Sequence, residues 1–132
     1  MKERLRRYAK LLEEIDIKER RAAAVDGLEG YIYRRARDGI ESRLERLKRN
    51  EASEREYLTA LIAELQCGNE RQVLFARYFD GHSWAAVCGV VFGSRADFEE
   101  KAESYQRRIY RIHGNALDNL NKIHDQRGQH EL

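Results

Sequence analysis

The chain of 132 residues contains no proline and only two cysteines, Cys67 and Cys88. Without proline, no helix loses an amide donor to a pyrrolidine ring and no turn waits on a slow prolyl isomer. Two cysteines do not make a disulfide framework. Both read as buried or half-buried free thiols of a reducing compartment. No apolar run approaches the roughly 20 residues that a membrane span needs. The opening MKERLRRYAK is charged with no apolar stretch behind it, so it does not read as a signal peptide. A cytoplasmic location with no membrane partner is the expectation. His82, His113, His124 and His130 show no short metal-ligand spacing, and there is no Cys-x-x-Cys pair. No glycine-rich phosphate loop, nucleophile pair or carboxylate pair stands out. Neither an enzyme nor a bound metal or cofactor is therefore expected.

What the chain does have is charge, 36% of its residues, and apolar residues at helical spacing. Together they predict an all-α fold with salt-bridged, exposed faces. Leu5, Tyr8, Leu12, Ile15 and Ala22 mark one stripe of an amphipathic helix over about residues 2–25. Glycines at 27, 30 and 39 then interrupt the pattern, with Tyr31, Ile32 and Tyr33 in a short helical turn between them. The period returns at Ile40, Leu44 and Leu47 and continues through Leu58, Leu61, Ile62 and Leu65. The charge run over 41–56 reads as a solvated face. These stripes predict a long, coiled-coil-like helical hairpin over 1–66.

Gly68 and Asn69 read as a helix stop followed by the next N-cap. A second unit is expected over 67–125. A short apolar helix in ERQVLFARYF stops at Asp80-Gly81, and Ser83 caps the following helix SWAAVCGVVF. Gly93-Ser94 breaks the chain again, and Ser94 with Asp97 forms a capping-box type start. Phe98, Ala102, Tyr105, Ile109, Ile112, Ala116, Leu120 and Ile123 then keep the helical period, which predicts one long helix over about 95–124. Residues 126–132 read as a frayed tail. Charge is segregated in this unit. Residues 95–104 hold Arg95 and Lys101 against Asp97, Glu99, Glu100 and Glu103, whereas residues 105–113 hold Arg107, Arg108 and Arg111 with no acid.

Two blocks carry a family likeness. The first is Arg77-Tyr78-Phe79-Asp80-Gly81 followed by Ser83-Trp84-Ala85-Ala86-Val87. The second is Ile109-Tyr110-Arg111-Ile112-His113-Gly114 with Ala116, Leu117 and Leu120. In this order they resemble the sigma-factor region-4-like helix-turn-helix of phage-encoded transcription regulators of the RinA/ArpU type. The resemblance implies a phage or prophage regulator that binds double-stranded DNA. In that reading Tyr78, Trp84, Val87, Ile109, Ile112 and Leu117 form the core of the motif. Gln106, Arg107, Arg108 and Arg111 have the chemistry to read base edges, and Tyr110 and His113 can add phosphate contacts. The hairpin would meet RNA polymerase or another protein, and a homodimer over two half-sites fits the same reading.

The segment 93–104 departs from that pattern, because the family has only a turn of a few residues there. If the last helix starts at Arg95, it presents Glu99, Glu100 and Glu103, which phosphates repel. If the segment forms its own loop and the helix starts near Ser104, the arginines face the DNA. Two further classes stay open: a helical interaction or assembly module that binds no DNA, and a packaging adaptor similar in kind to a small terminase subunit.

Overall fold

The computed structural model describes every residue except Glu29, Glu131 and Leu132, and for Gln129 and His130 the backbone alone. The fold is all-α. Helix α1 spans Lys2–Val25 and α2 spans Tyr31–Ala63. Their side-chain pairs run in opposite order along the two helices, which makes the hairpin antiparallel. Arg4 Nε lies 2.5 Å from the Glu54 carboxylate, the Tyr8 hydroxyl donates to Glu51 at 2.8 Å, and Lys48 Nζ lies 3.0 Å from Glu19. Gly27 turns the chain at φ 82, a left-handed backbone that side chains with a Cβ disfavour. Gly39 lies inside α2 and does not break it. Tyr31, Ile32 and Tyr33 are the first turn of that helix, not a separate one. A helical glycine costs about 1 kcal/mol, and packing against α1 overrides it.

Burial along the hairpin is graded. Leu5 and Tyr8 are buried at its base, whereas Leu12, Ile15 and Ala22 are half-buried. Towards the tip only two helices exist to cover each other. At the base α1 and α2 meet the rest of the chain. Leu5, Tyr8, Leu58, Leu61, Ile62 and Leu65 share one core with Leu74, Tyr78, Ala116 and Leu120.

The second unit begins differently from the sequence expectation. Cys67 is exposed and precedes α3, Gly68–Leu74, whose first residue is Gly68. Asn69 therefore sits inside α3 and does not cap it. The corner between α2 and α3 is closed by the Arg71 guanidinium, which donates to the Leu65 carbonyl. Helix α3 runs directly into a π-helical turn, Phe75–Phe79, which ends at Asp80. Gly81 reverses the chain at φ 71, and the Ser83 hydroxyl accepts from the Ala86 amide at 3.2 Å. That cap opens α4, Trp84–Phe92, where the sequence places it.

The last helix, α5, spans Ala102–His130. The long helix expected from Arg95 is thus corrected. Residues 93–101 form successive turns, with the Arg95 amide donating to Phe92 O at 3.0 Å and Phe98 to Arg95 O at 3.1 Å. Gly93 is required there, because a Cβ would press into the Gly89 carbonyl. Phe98 still packs near the Tyr105 ring, 6.0 Å between centroids. It keeps its apolar partner without being helical, and so the period survives where the helix does not. Asp97 pins the turns to α5 by accepting from the Tyr105 hydroxyl at 2.5 Å and lying 3.5 Å from Lys101 Nζ. The Tyr105 hydrogen bond holds the Asp97 carboxyl below the usual carboxylate range. The tail expected to fray from 126 continues α5 to His130, and Arg127 pairs at 3.1 Å with Glu64, which follows the last residue of α2.

Candidate nucleic-acid interface

Helices α4 and α5 and the π-helical turn build the surface in question. Val87, Cys88 and Phe92 of α4 pack with Tyr105 and Ile109 of α5 and with Val73 and Ala76 in a second core, and Trp84 and Ile112 lie half-buried against it. Phe92 thus meets the start of α5 while Trp84 lies 5.3 Å from Tyr110 and 4.7 Å from His113, ring to ring. The two helices therefore run past each other in opposite senses. Of the expected motif core, Val87 and Ile109 occupy the centre of this cluster. Tyr78 and Leu117 belong to the hairpin base instead. The connection between α4 and α5 is longer than the three- to four-residue turn of an ordinary helix-turn-helix.

The six residues expected to contact DNA separate by position on α5. Residues two apart on a helix do not share a face, so Gln106 and Arg108 lie on opposite flanks of Arg107. Arg107 and Arg111 are exposed and one turn apart. Arg107 stands beside Glu99 and Glu100 of the preceding segment and Glu103 of the first turn of α5, so its field is tempered by these acids. Arg108 is exposed, with its guanidinium 4.8 Å from the Phe92 ring centre, which props it against the end of α4. Among the described residues no carboxylate forms an ion pair with Arg107, Arg108 or Arg111. Gln106 is half-buried and donates to the Tyr110 hydroxyl at 3.2 Å. Tyr110 is 48% exposed.

His113 is the exception. It is 9% exposed, and its Nε2 is 2.8 Å from the Tyr78 hydroxyl. Burial pushes its pKa down to about 4, and the nearby cations Lys2, Arg77 and Arg6 push the same way. A neutral, hydrogen-bonded imidazole in the core does not present itself to a phosphate. Its place follows from its register, four residues after the fully buried Ile109 and three before the fully buried Ala116.

Sequence reasoning missed a groove between α1 and this unit. It has a volume of about 780 Å³, and its walls include Lys2, Arg6 and Lys10 on one side and Arg77, Trp84 and Tyr110 on the other. The signal was present in MKERLRRYAK, where Lys2, Arg6 and Lys10 recur every four residues. Arg77 is held in place: it donates to the His82 carbonyl at 3.0 Å and its guanidinium lies 4.6 Å from the Trp84 ring. Among the described residues no group of three or more His, Cys, Asp or Glu side chains is placed to hold a metal. No helix among them is long and apolar enough to cross a membrane. Comparison with protein-family models, with curated proteins and with solved structures finds no match.

Proposed function

We propose that the chain is a DNA-binding transcription regulator of the phage or prophage type that docks α5 against double-stranded DNA. The observation that carries this reading is where α5 begins. With its start at Ala102, the acids Asp97, Glu99 and Glu100 precede the helix, Glu103 is the one acid of its first turn, and its exposed side from there on carries Arg107, Arg108 and Arg111. Exposed arginines without carboxylate partners are available for phosphates and for guanine edges. Helix α4 braces α5 through Val87, Phe92 and Ile109, the support that a groove-reading helix requires. Gln106 and Tyr110 contribute from the flank. His113 has no contact role in this proposal.

The test is fluorescence anisotropy with mixed-sequence duplex DNA at about 50 and 200 mM salt, comparing wild type with the Arg107/Arg108/Arg111→Ala variant. Losing three phosphate contacts flattens the salt slope by about three on the counterion-release rule. Equal binding by the variant sinks the proposal.

A second reading rests on the hairpin tip. Ile32 is 79% exposed and Tyr31 68%, with Leu28 and Tyr33 also open to solvent. Exposed apolar residues gathered at the end of an arm suit a protein partner, whether RNA polymerase, another protein or a second copy. Absence of DNA affinity even at low salt favours an interaction or assembly module built on that tip. A ring of many subunits in sedimentation favours a packaging adaptor.

A further inference from the structure

We propose that the groove between α1 and the Trp84 wall seats one phosphodiester strand of a nucleic acid, which makes α1 a second backbone-binding element beside α5. The inference rests on the DNA-binding reading for the identity of the polymer, and on the groove itself for everything else. Lys2, Arg6 and Lys10 recur at intervals of four, so they share one side of α1 and line the groove as a row. At 1.5 Å per residue the row is about 12 Å long, enough for its three cations to meet two or three successive phosphates of one strand, whose path is longer than its axial rise of about 3.4 Å per nucleotide. A linear row of charges matches a linear polyanion better than a compact ligand, which needs cations that converge on one point.

The opposite wall supplies Arg77, already oriented by the His82 carbonyl and the Trp84 ring. A guanidinium fixed before binding loses little freedom when it takes a phosphate oxygen. Tyr110 offers a hydroxyl at the rim, where the groove runs on to the exposed side of α5. Leu12 and Phe79 provide apolar lining, which weakens screening by water. The depressed proton affinity of His113, beneath this groove, owes its coulombic part to Lys2, Arg77 and Arg6, so their fields meet here. Glu13 and Asp16 also line the groove and limit the basic stretch to the first three turns of α1, while Asp80 places one acid on the opposite wall. Glu3 lies 3.2 Å from Arg6, but both side chains are exposed and the pair is readily exchanged for a phosphate.

Trp84 is the only tryptophan of the chain and lies between the groove and Tyr110 of α5, so its emission reports binding at either, and the two variants tell them apart. The experiment titrates labelled single-stranded and duplex oligonucleotides into the full chain, following both label anisotropy and Trp84 emission at about 50 and 200 mM salt. It compares wild type, Lys2/Arg6/Lys10→Gln and Arg107/Arg108/Arg111→Ala, each checked by thermal melting for an unchanged fold. The inference expects Trp84 emission to change with binding. It also expects the α1 variant to bind at least about tenfold more weakly at low salt, with a salt slope flatter by about three.

If the α5 variant binds like wild type while the α1 variant does not, the groove stands and the α5 reading fails. If the α1 variant binds like wild type while the α5 variant does not, the groove inference is overturned and the α5 reading stands. No binding by wild type at low salt overturns both. Tighter binding of the single strand assigns the groove to unpaired nucleic acid, and tighter binding of the duplex assigns it to the backbone flanking α5. Unchanged Trp84 emission on binding, together with full affinity of the α1 variant, leaves the groove without a nucleic-acid role.

Discussion

Burial of a neutral imidazole makes the stability of this protein sensitive to acid at one residue. The pKa of His113 falls from an unfolded value of 6.5 to about 4 in the fold. Between those values the unfolded chain binds a proton that the native core excludes, so stability falls as pH drops from above 6.5 towards 4. Two measurements check this. The His113 ring protons should titrate near pH 4 in NMR, and His113→Gln should flatten the melting temperature across that window. Titration near 6.5 would show that the ring is not buried as described. The same residue illustrates what a sequence hides. Its register, four after Ile109, pointed to the core, while its polar chemistry pointed to a phosphate. Where the two conflict, the partner decides, and the Tyr78 hydroxyl is a partner that no local pattern reveals. Cys67 makes the converse case: apolar or small residues nearby, Leu65 and Gly68, suggested burial, but it lies at an exposed corner before α3.

Among the elements, those whose caps and stripes agree were legible. Helix α1 and the Ser83-capped α4 fall where glycine, serine and apolar spacing place them. The start of α5 was not legible, because Phe98 keeps helical spacing while packing on Tyr105 from a turn. Periodicity registers which side chains are buried, not which backbone bonds are formed. A capping-box start at Ser94 failed for a related reason. Asp97 spends its carboxylate on Tyr105 and Lys101 instead of on a helix N-terminus. Removing that carboxylate should release the turns. Asp97→Ala is expected to speed hydrogen exchange of the amides over 98–105 while leaving those over 109–120 unchanged, because the latter are held by the two cores. Unchanged exchange over 98–105 would mean that Asp97 does not fix the start of α5.

At the scale of the whole molecule, the hairpin is more than an arm. Its base shares a core with α3, the π-helical turn and α5, and cross-helix bonds tie it down. The Tyr57 hydroxyl lies 2.6 Å from His124 Nδ1, and the N-terminal amine donates to Asn121 at 3.1 Å. Lys2, Arg6 and Lys10 are therefore held beside the proposed DNA-docking unit, while Tyr31 and Ile32 project at the far end. The stripe of each helix was readable from the sequence. The groove was not, since it exists only once α1 is docked. The most direct test of nucleic-acid docking is amide NMR mapping of the full chain with a short duplex at about 50 mM salt. The account predicts that signals over 106–111 and 2–10 shift together while those over 31–40 stay fixed. Shifts confined to 31–40, or none at all, would contradict it.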